Sequence, residues 1–224
     1  MSQFNISVYQ LLPPTPSPEI PRGPLLRQIV ARFSSECQQQ MVIGGAQTGK
    51  TNLLAQFVRE YGGQSISYFI TPTPITQRRH TFLFSMCHQL SLLLDTTPPP
   101  ESIALEDLES LFSTLSFRLA RQAGSGSTRY YFVIDGLERG LQDLQDQCIV
   151  DLFPLQTSPR SPYLLFSCRT NRLGDLPGCM DCPSKEPMSF SRLETRTYLA
   201  ELQLSTEELN RVHDKYEGIP GYLN

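Results

Sequence analysis

The chain has 224 residues, 39% of them hydrophobic and 18% charged, enough for one large folded domain or one domain with a small satellite. Its net charge of −3 gives no electrostatic reason to expect a nucleic-acid partner, and no apolar stretch approaches the ~18 residues that span a bilayer. No secretory signal opens it, so the six cysteines (Cys37, Cys87, Cys148, Cys168, Cys179, Cys182) read as mostly buried, reduced thiols of a cytoplasmic protein.

Four of the eighteen prolines fall in the first twenty residues. That stretch cannot form a long helix, and residues 1–19 are expected to run extended over the surface. "RGPLLRQIVARF" predicts a helix with Pro24 in its first turn and Leu25, Leu26, Ile29, Val30 and Phe33 on one face. "MVI" (Met41–Ile43) predicts a short buried strand that runs into a glycine loop. Leu53, Leu54, Phe57, Val58 and Tyr61 then keep helical spacing until Gly62-Gly63. "SISYFI" (Ser65–Ile70) predicts a second strand, and "HTFLFSMCHQLSLLL" (His80–Leu94) a buried helix closed by "DTTPPPE".

Leu105, Leu108, Leu111, Phe112, Leu115 and Leu119 mark an amphipathic helix that ends before "GSGST". "YYFVID" (Tyr130–Asp135) and "YLLFSC" (Tyr163–Cys168) are continuous apolar runs. Strands apolar on both faces, alternating with helices, predict an α/β fold with a mostly parallel sheet covered on each side. Beyond a loop rich in Gly, Cys and Pro (Gly174–Pro187) the pattern is helical only. This divides the chain into a main unit over 20–186 and a helical piece over 187–224. Ser191 with Glu194, and Ser205 with Glu208, have capping-box spacing, so two short helices start there, the second stopping at Gly218. Cys179 and Cys182 in "CMDC" have the spacing of half a zinc knuckle. With no second pair and no nearby histidine, they read as surface loop.

Gly44-Gly45-Ala46-Gln47-Thr48-Gly49-Lys50-Thr51 fits G-x-x-x-x-G-K-[ST] without a gap. Glycines let successive N–H groups converge on one anion, and the following helix adds its positive N-terminal end. Lys50 would reach the β- and γ-phosphates, and the Thr51 hydroxyl would bind Mg²⁺. By chance the pattern occurs in on the order of one chain per hundred of this length. Here it also lies between a strand and a helix, as the chemistry requires.

Asp135 ends an apolar strand, where an open α/β sheet places its ligand, and its carboxylate suits a hard cation. The alternative is an acid that caps the next turn. Glu138 would polarise an attacking water or simply pair with Arg139. Arg169, directly after "YLLFSC", would contact a γ-phosphate or form a surface salt bridge.

Together "GGAQTGKT", "YYFVIDGLE", "LLFSCRT" and "GIPGYL" resemble the STAND class of AAA-related P-loop NTPases, in its NACHT-like branch. "ISYFITPTPITQRRHTFLFSMCHQL" is similar to the segment after the first helix in that branch. The resemblance implies a P-loop NTPase three-layer sandwich with a mostly parallel five-stranded sheet, followed by a small α-helical subdomain that stops short at residue 224. It also implies an ATP/ADP switch with Mg²⁺ as cofactor, slow hydrolysis and self-association on activation. The backbone around Gly44 to Gly49 (Gly45, Gln47 and Thr48 included), with Lys50 and the neighbouring Asn52, would hold the nucleotide. Thr51 and Asp135 would hold the metal, and Arg169 would sense the phosphate. Pro220 would pack on the adenine, and "IPRG" (Ile20–Gly23), which contains Arg22, would line the base from the other side. Arg139 stands where the family often has a second acid, which counts against rapid hydrolysis.

Overall fold

A computed structural model describes residues 12–34, 37–125, 128–139, 152, 162–175, 184–185 and 189–223. In chain order the regular elements are α1 (Gly23–Arg32), β1 (Gln39–Gly44), α2 (Lys50–Glu60), β2 (Ser65–Phe69), α3 (Arg79–Leu93) and α4 (Leu105–Ser125). They continue with β3 (Tyr131–Asp135), β4 (Tyr163–Arg169), β5 (Ser184–Lys185), α5 (Arg192–Tyr198) and α6 (Thr206–Tyr216). Cys148, the "CMDC" pair and residues 1–11 lie outside the described residues, as does the expected boundary at residues 186–187.

The five strands form one sheet in the order β2-β3-β4-β1-β5, and every neighbouring pair is parallel. Two of the pairings bring the carboxyl ends of their strands level: Gly44 lies opposite Arg169 and Phe69 opposite Asp135. The fifth strand is two residues long and pairs with Met41 and Val42. It falls inside the stretch expected to be loop, because two residues carry no periodicity to detect.

Side chains alternate across each strand, so the continuous apolar runs feed two cores at once. Met41, Phe132, Ile134 and Phe166 face one side, where α3 and α4 cover them through Phe82, Met86, Leu108 and Phe112. Val42, Tyr131, Val133 and Leu165 face the other, under Leu26 and Ile29 of α1 and Leu54 and Phe57 of α2. A third, smaller cluster joins Ile20 to Phe190, Leu199 and Leu223 near the two last helices.

Both last helices start as their spacing predicts. Ser191 and Ser205 each accept from the backbone N–H three residues on, and Glu194 and Glu208 reach back to close full capping boxes. The second stops at Tyr216, two residues before Gly218.

β2 is an edge strand, which normally exposes unpaired backbone groups. Gln89 of α3 is fully buried and satisfies two of them. Its side-chain oxygen accepts from Ser67 N–H at 2.9 Å, and its nitrogen donates to the Ser67 carbonyl at 2.8 Å.

Candidate functional site

The carboxyl ends of β1, β3 and β4 open into one cleft of about 460 Å³, within the usual range for a small-molecule site. β1 delivers the glycine loop, β3 delivers Asp135, and β4 delivers Arg169.

The loop turns back on itself before α2. Gln47 has φ 62° and Gly49 φ 88°, left-handed conformations that a glycine adopts without strain and most residues do not. Among the described residues the N–H groups of Ala46, Gln47, Gly49, Lys50 and Thr51 donate to no backbone acceptor. These amides and the first turn of α2 form a concave row of donors, the donor set that an anion requires.

Lys50 opens α2. Its ammonium donates to the carbonyls of Gly44 at 2.8 Å and Gly45 at 2.6 Å, so those two glycines brace the lysine rather than line the cleft wall. Burial lowers the Lys50 pKa, and the nearby Glu138 and Asp135 carboxylates oppose that shift. Thr48 closes the loop through a 3.1 Å bond from its hydroxyl to the Gly45 carbonyl. Gln47, Gly49 and Asn52 line the cleft.

Thr51 and Asp135 come together across 84 positions of sequence: the threonine hydroxyl donates to Asp135 Oδ2 at 2.7 Å. Asp135 Oδ1 accepts from the Ser167 hydroxyl, and the same Ser167 oxygen accepts from Gly136 N–H at 2.9 Å. Burial raises the Asp135 pKa, and the hydrogen bonds from Ser167 and Thr51 only partly offset this. Among the described residues no group of three or more His, Cys, Asp or Glu gathers to form an all-protein metal cage. A hydroxyl and a carboxylate oxygen at one edge of a phosphate-sized cradle suit Mg²⁺, which takes few protein ligands and completes its shell with phosphate and water oxygens.

Glu138 sits in the turn Leu137–Arg139 just past β3. Its partner differs from the expected one. Arg169 Nε lies 3.3 Å from Glu138 Oε1, whereas Arg139 turns away and donates to the carbonyl of Ile70. Adjacent side chains in a tight turn point apart, so the cation that reaches Glu138 comes from the neighbouring strand.

The cleft also has an apolar lining. Residues 12–19 keep to the surface but run along the cleft mouth, where Pro13, Pro14, Pro16 and Pro18 form part of its wall. Ile20 and Arg22 continue that wall, and Phe190, Tyr198 and Pro220 stand in the same cleft. Arg22 links the two sides: its guanidinium lies 3.0 Å from Glu194 and 5.2 Å from the centre of the Phe190 ring. Gln56 of α2 fixes this segment, accepting from Arg22 N–H at 2.8 Å and donating to the Ile20 carbonyl at 2.9 Å. The closing loop meets the glycine loop directly, with Gly221 N–H donating to the Gln47 carbonyl at 3.1 Å.

The structure therefore gathers Arg22, Gln47, Thr48, Gly49, Lys50, Thr51, Asn52, Asp135, Glu138, Arg169 and Pro220 at one cleft. Ser167, Phe190, Tyr198 and Gly221 line it too without having been assigned a role from sequence, and Gln56 braces the wall through Arg22 and Ile20. Only Ser167 carried a visible cue, as a serine inside an otherwise apolar strand.

Two solved structures share this architecture. A Walker-type ATPase of Pyrococcus abyssi superposes with a TM-score of 0.61 at 14% identity, covering 96% of this chain and 69% of the other. Cdc6p of Pyrobaculum aerophilum gives 0.51 at 14% identity, covering 94% of this chain and 58% of that one. The fold is thus that of the P-loop NTPases, an α/β sandwich on a parallel sheet. A scan of protein-family models and a search of curated proteins each return no match.

Proposed function

We propose that the protein is an ATP/ADP-binding switch of the STAND, NACHT-like kind, with slow Mg²⁺-dependent ATP hydrolysis. One observation carries this reading: the amides of Ala46, Gln47 and Gly49–Thr51, which bond no backbone acceptor, and the Thr51–Asp135 oxygen pair, 2.7 Å apart, face the same cleft. The amides and Lys50 would hold the phosphates, while Thr51 and Asp135 would hold Mg²⁺. Bound Mg²⁺ would neutralise charge that develops on the phosphoryl oxygens. Adenine would lie on the apolar lining, against Pro220 on one side and Ile20 and Arg22 on the other. Glu138 would orient and deprotonate water, and Arg169 would register the terminal phosphate.

The switch follows from where the cleft lies. Its walls come from the main unit expected over 20–186 and from the helical piece over 187–224, so a nucleotide would touch both. Such a ligand moves an equilibrium only by the difference in its contacts between the two states. ADP would favour the closed arrangement, and exchange for ATP would favour opening and self-association in the cytoplasm, without a nucleic-acid partner. A second reading, an AAA-type motor or loader acting on nucleic acid or protein, shares the fold and the cleft. Gly136 directly follows Asp135, where vigorous ATPases place a glutamate, and this favours the switch.

Identifying the nucleotide that co-purifies, then titrating ATP and ADP into the stripped protein, tests the proposal. Lys50→Ala is expected to weaken ATP binding at least tenfold, about 1.4 kcal/mol. Unchanged affinity would remove the cradle, and sustained fast turnover would favour the motor.

A further inference from the structure

Glu138, just past β3, and Arg169, the last residue of the adjacent β4, meet at the cleft, Nε to Oε1, at 3.3 Å. The pair is lopsided: the Glu138 side chain is 8% exposed and that of Arg169 is 45% exposed. The second carboxylate oxygen, Oε2, is buried with no hydrogen-bond partner. A buried carboxylate with one cationic partner depends heavily on it. Arg169 is less tied. A guanidinium has five N–H donors in a planar fork, and the contact to Glu138 is through Nε alone.

We infer that Arg169 is shared between Glu138 and the terminal phosphate of a bound nucleoside triphosphate, so that the phosphate itself releases the general base. This rests on the nucleotide reading above and deepens it. With a diphosphate bound, Arg169 holds Glu138 and the carboxylate is not available as a base. With a triphosphate bound, the γ-phosphoryl group presents more charge and more acceptor oxygens than one carboxylate, and the guanidinium fork turns to it. Glu138 then accepts a proton from water as the water oxygen bonds to Pγ. The bond from Pγ to the bridging oxygen breaks, and its electron pair leaves with the diphosphate. Lys50, whose charge couples to Glu138, keeps the released carboxylate from standing uncompensated. Arg169 is accordingly a positioning residue for Glu138 as well as a phosphate contact.

The competition gives the test. Wild type, Glu138→Gln, Arg169→Gln and Arg169→Lys are each titrated with Mg²⁺ plus either ADP or a non-hydrolysable ATP analogue. Their hydrolysis kinetics are measured alongside. Removing the charge of Glu138 frees Arg169, so Glu138→Gln should raise the preference for the ATP analogue over ADP about three- to tenfold. Its kcat should drop about a hundredfold or more without a rise in KM. Arg169→Gln should erase the preference for the triphosphate, and Arg169→Lys should restore part of it. An unchanged analogue-to-ADP ratio in Glu138→Gln, with the fold intact by thermal melting, overturns the inference while leaving nucleotide binding standing. If the stripped wild type binds neither nucleotide, the proposed function falls and this inference falls with it.

Discussion

Asp135 shows what a site costs the fold that carries it. It is 3% exposed, and burial lifts its carboxyl pKa above the ordinary value near 3.8. An acid whose folded pKa exceeds its unfolded one contributes a deficit of stability. That deficit is absent below pH about 3.8, grows as pH rises towards the folded value, and is constant above it. Once ionised, the carboxylate would burden the nucleotide-free protein, and a bound cation would relieve it. Asp135→Asn should leave the melting temperature of the free protein at pH 7 unchanged or higher, yet abolish the Mg²⁺ dependence of nucleotide binding. Melting and titration with and without Mg²⁺ check both halves. A lower Tm with intact Mg²⁺ dependence would contradict the assignment. The carboxylate was legible in sequence because it ends an apolar run. The Glu138–Arg169 pair was not, because partners 31 positions apart at the ends of different strands leave no local trace.

At the scale of elements, the decisive contact is between two loops. The turn Pro220–Tyr222 lies so close to the glycine loop that a Cβ on Gly221 would meet Gln47 Cβ at 2.2 Å. Overpacking of this kind typically costs about 1–3 kcal/mol. Gly221→Ala should therefore displace the closing loop and lower nucleotide affinity about tenfold, with α1 to β4 still folded. Calorimetric titration beside a urea melt separates the two effects, and full-strength binding would show that the loop contact is incidental. Sequence announced "GIPGYL" as a unit and Pro220 as its key residue, but gave no sign that the neighbouring glycine sets the distance. The capping boxes of α5 and α6 were readable because their rule spans only three residues. β5 was not, since a two-residue strand exists through its pairing with β1.

On the scale of the whole molecule, the apolar patterning was sufficient to foretell a parallel sheet between two cores. It could not foretell how the last helices seat. Among the described residues they reach the rest through few links: the Arg22–Glu194 ion pair at 3.0 Å, the Gly221–Gln47 hydrogen bond at 3.1 Å, and a small cluster around Ile20 and Phe190. Interfaces this limited permit relative motion. The ADP-loaded protein should give a smaller radius of gyration by solution X-ray scattering than the Glu138→Gln variant loaded with an ATP analogue, and only the latter should gain mass with concentration. Identical profiles in both states would argue for a structural nucleotide instead of a switch.

The glutamine that covers the rim of the sheet has its own consequence for how copies of the protein meet. By filling the hydrogen-bonding places of Ser67, Gln89 acts as a one-residue mock strand. A visiting polypeptide cannot zip onto the middle of that border without first evicting it. Growth of the sheet from molecule to molecule, the usual start of fibrils, is hindered at that border.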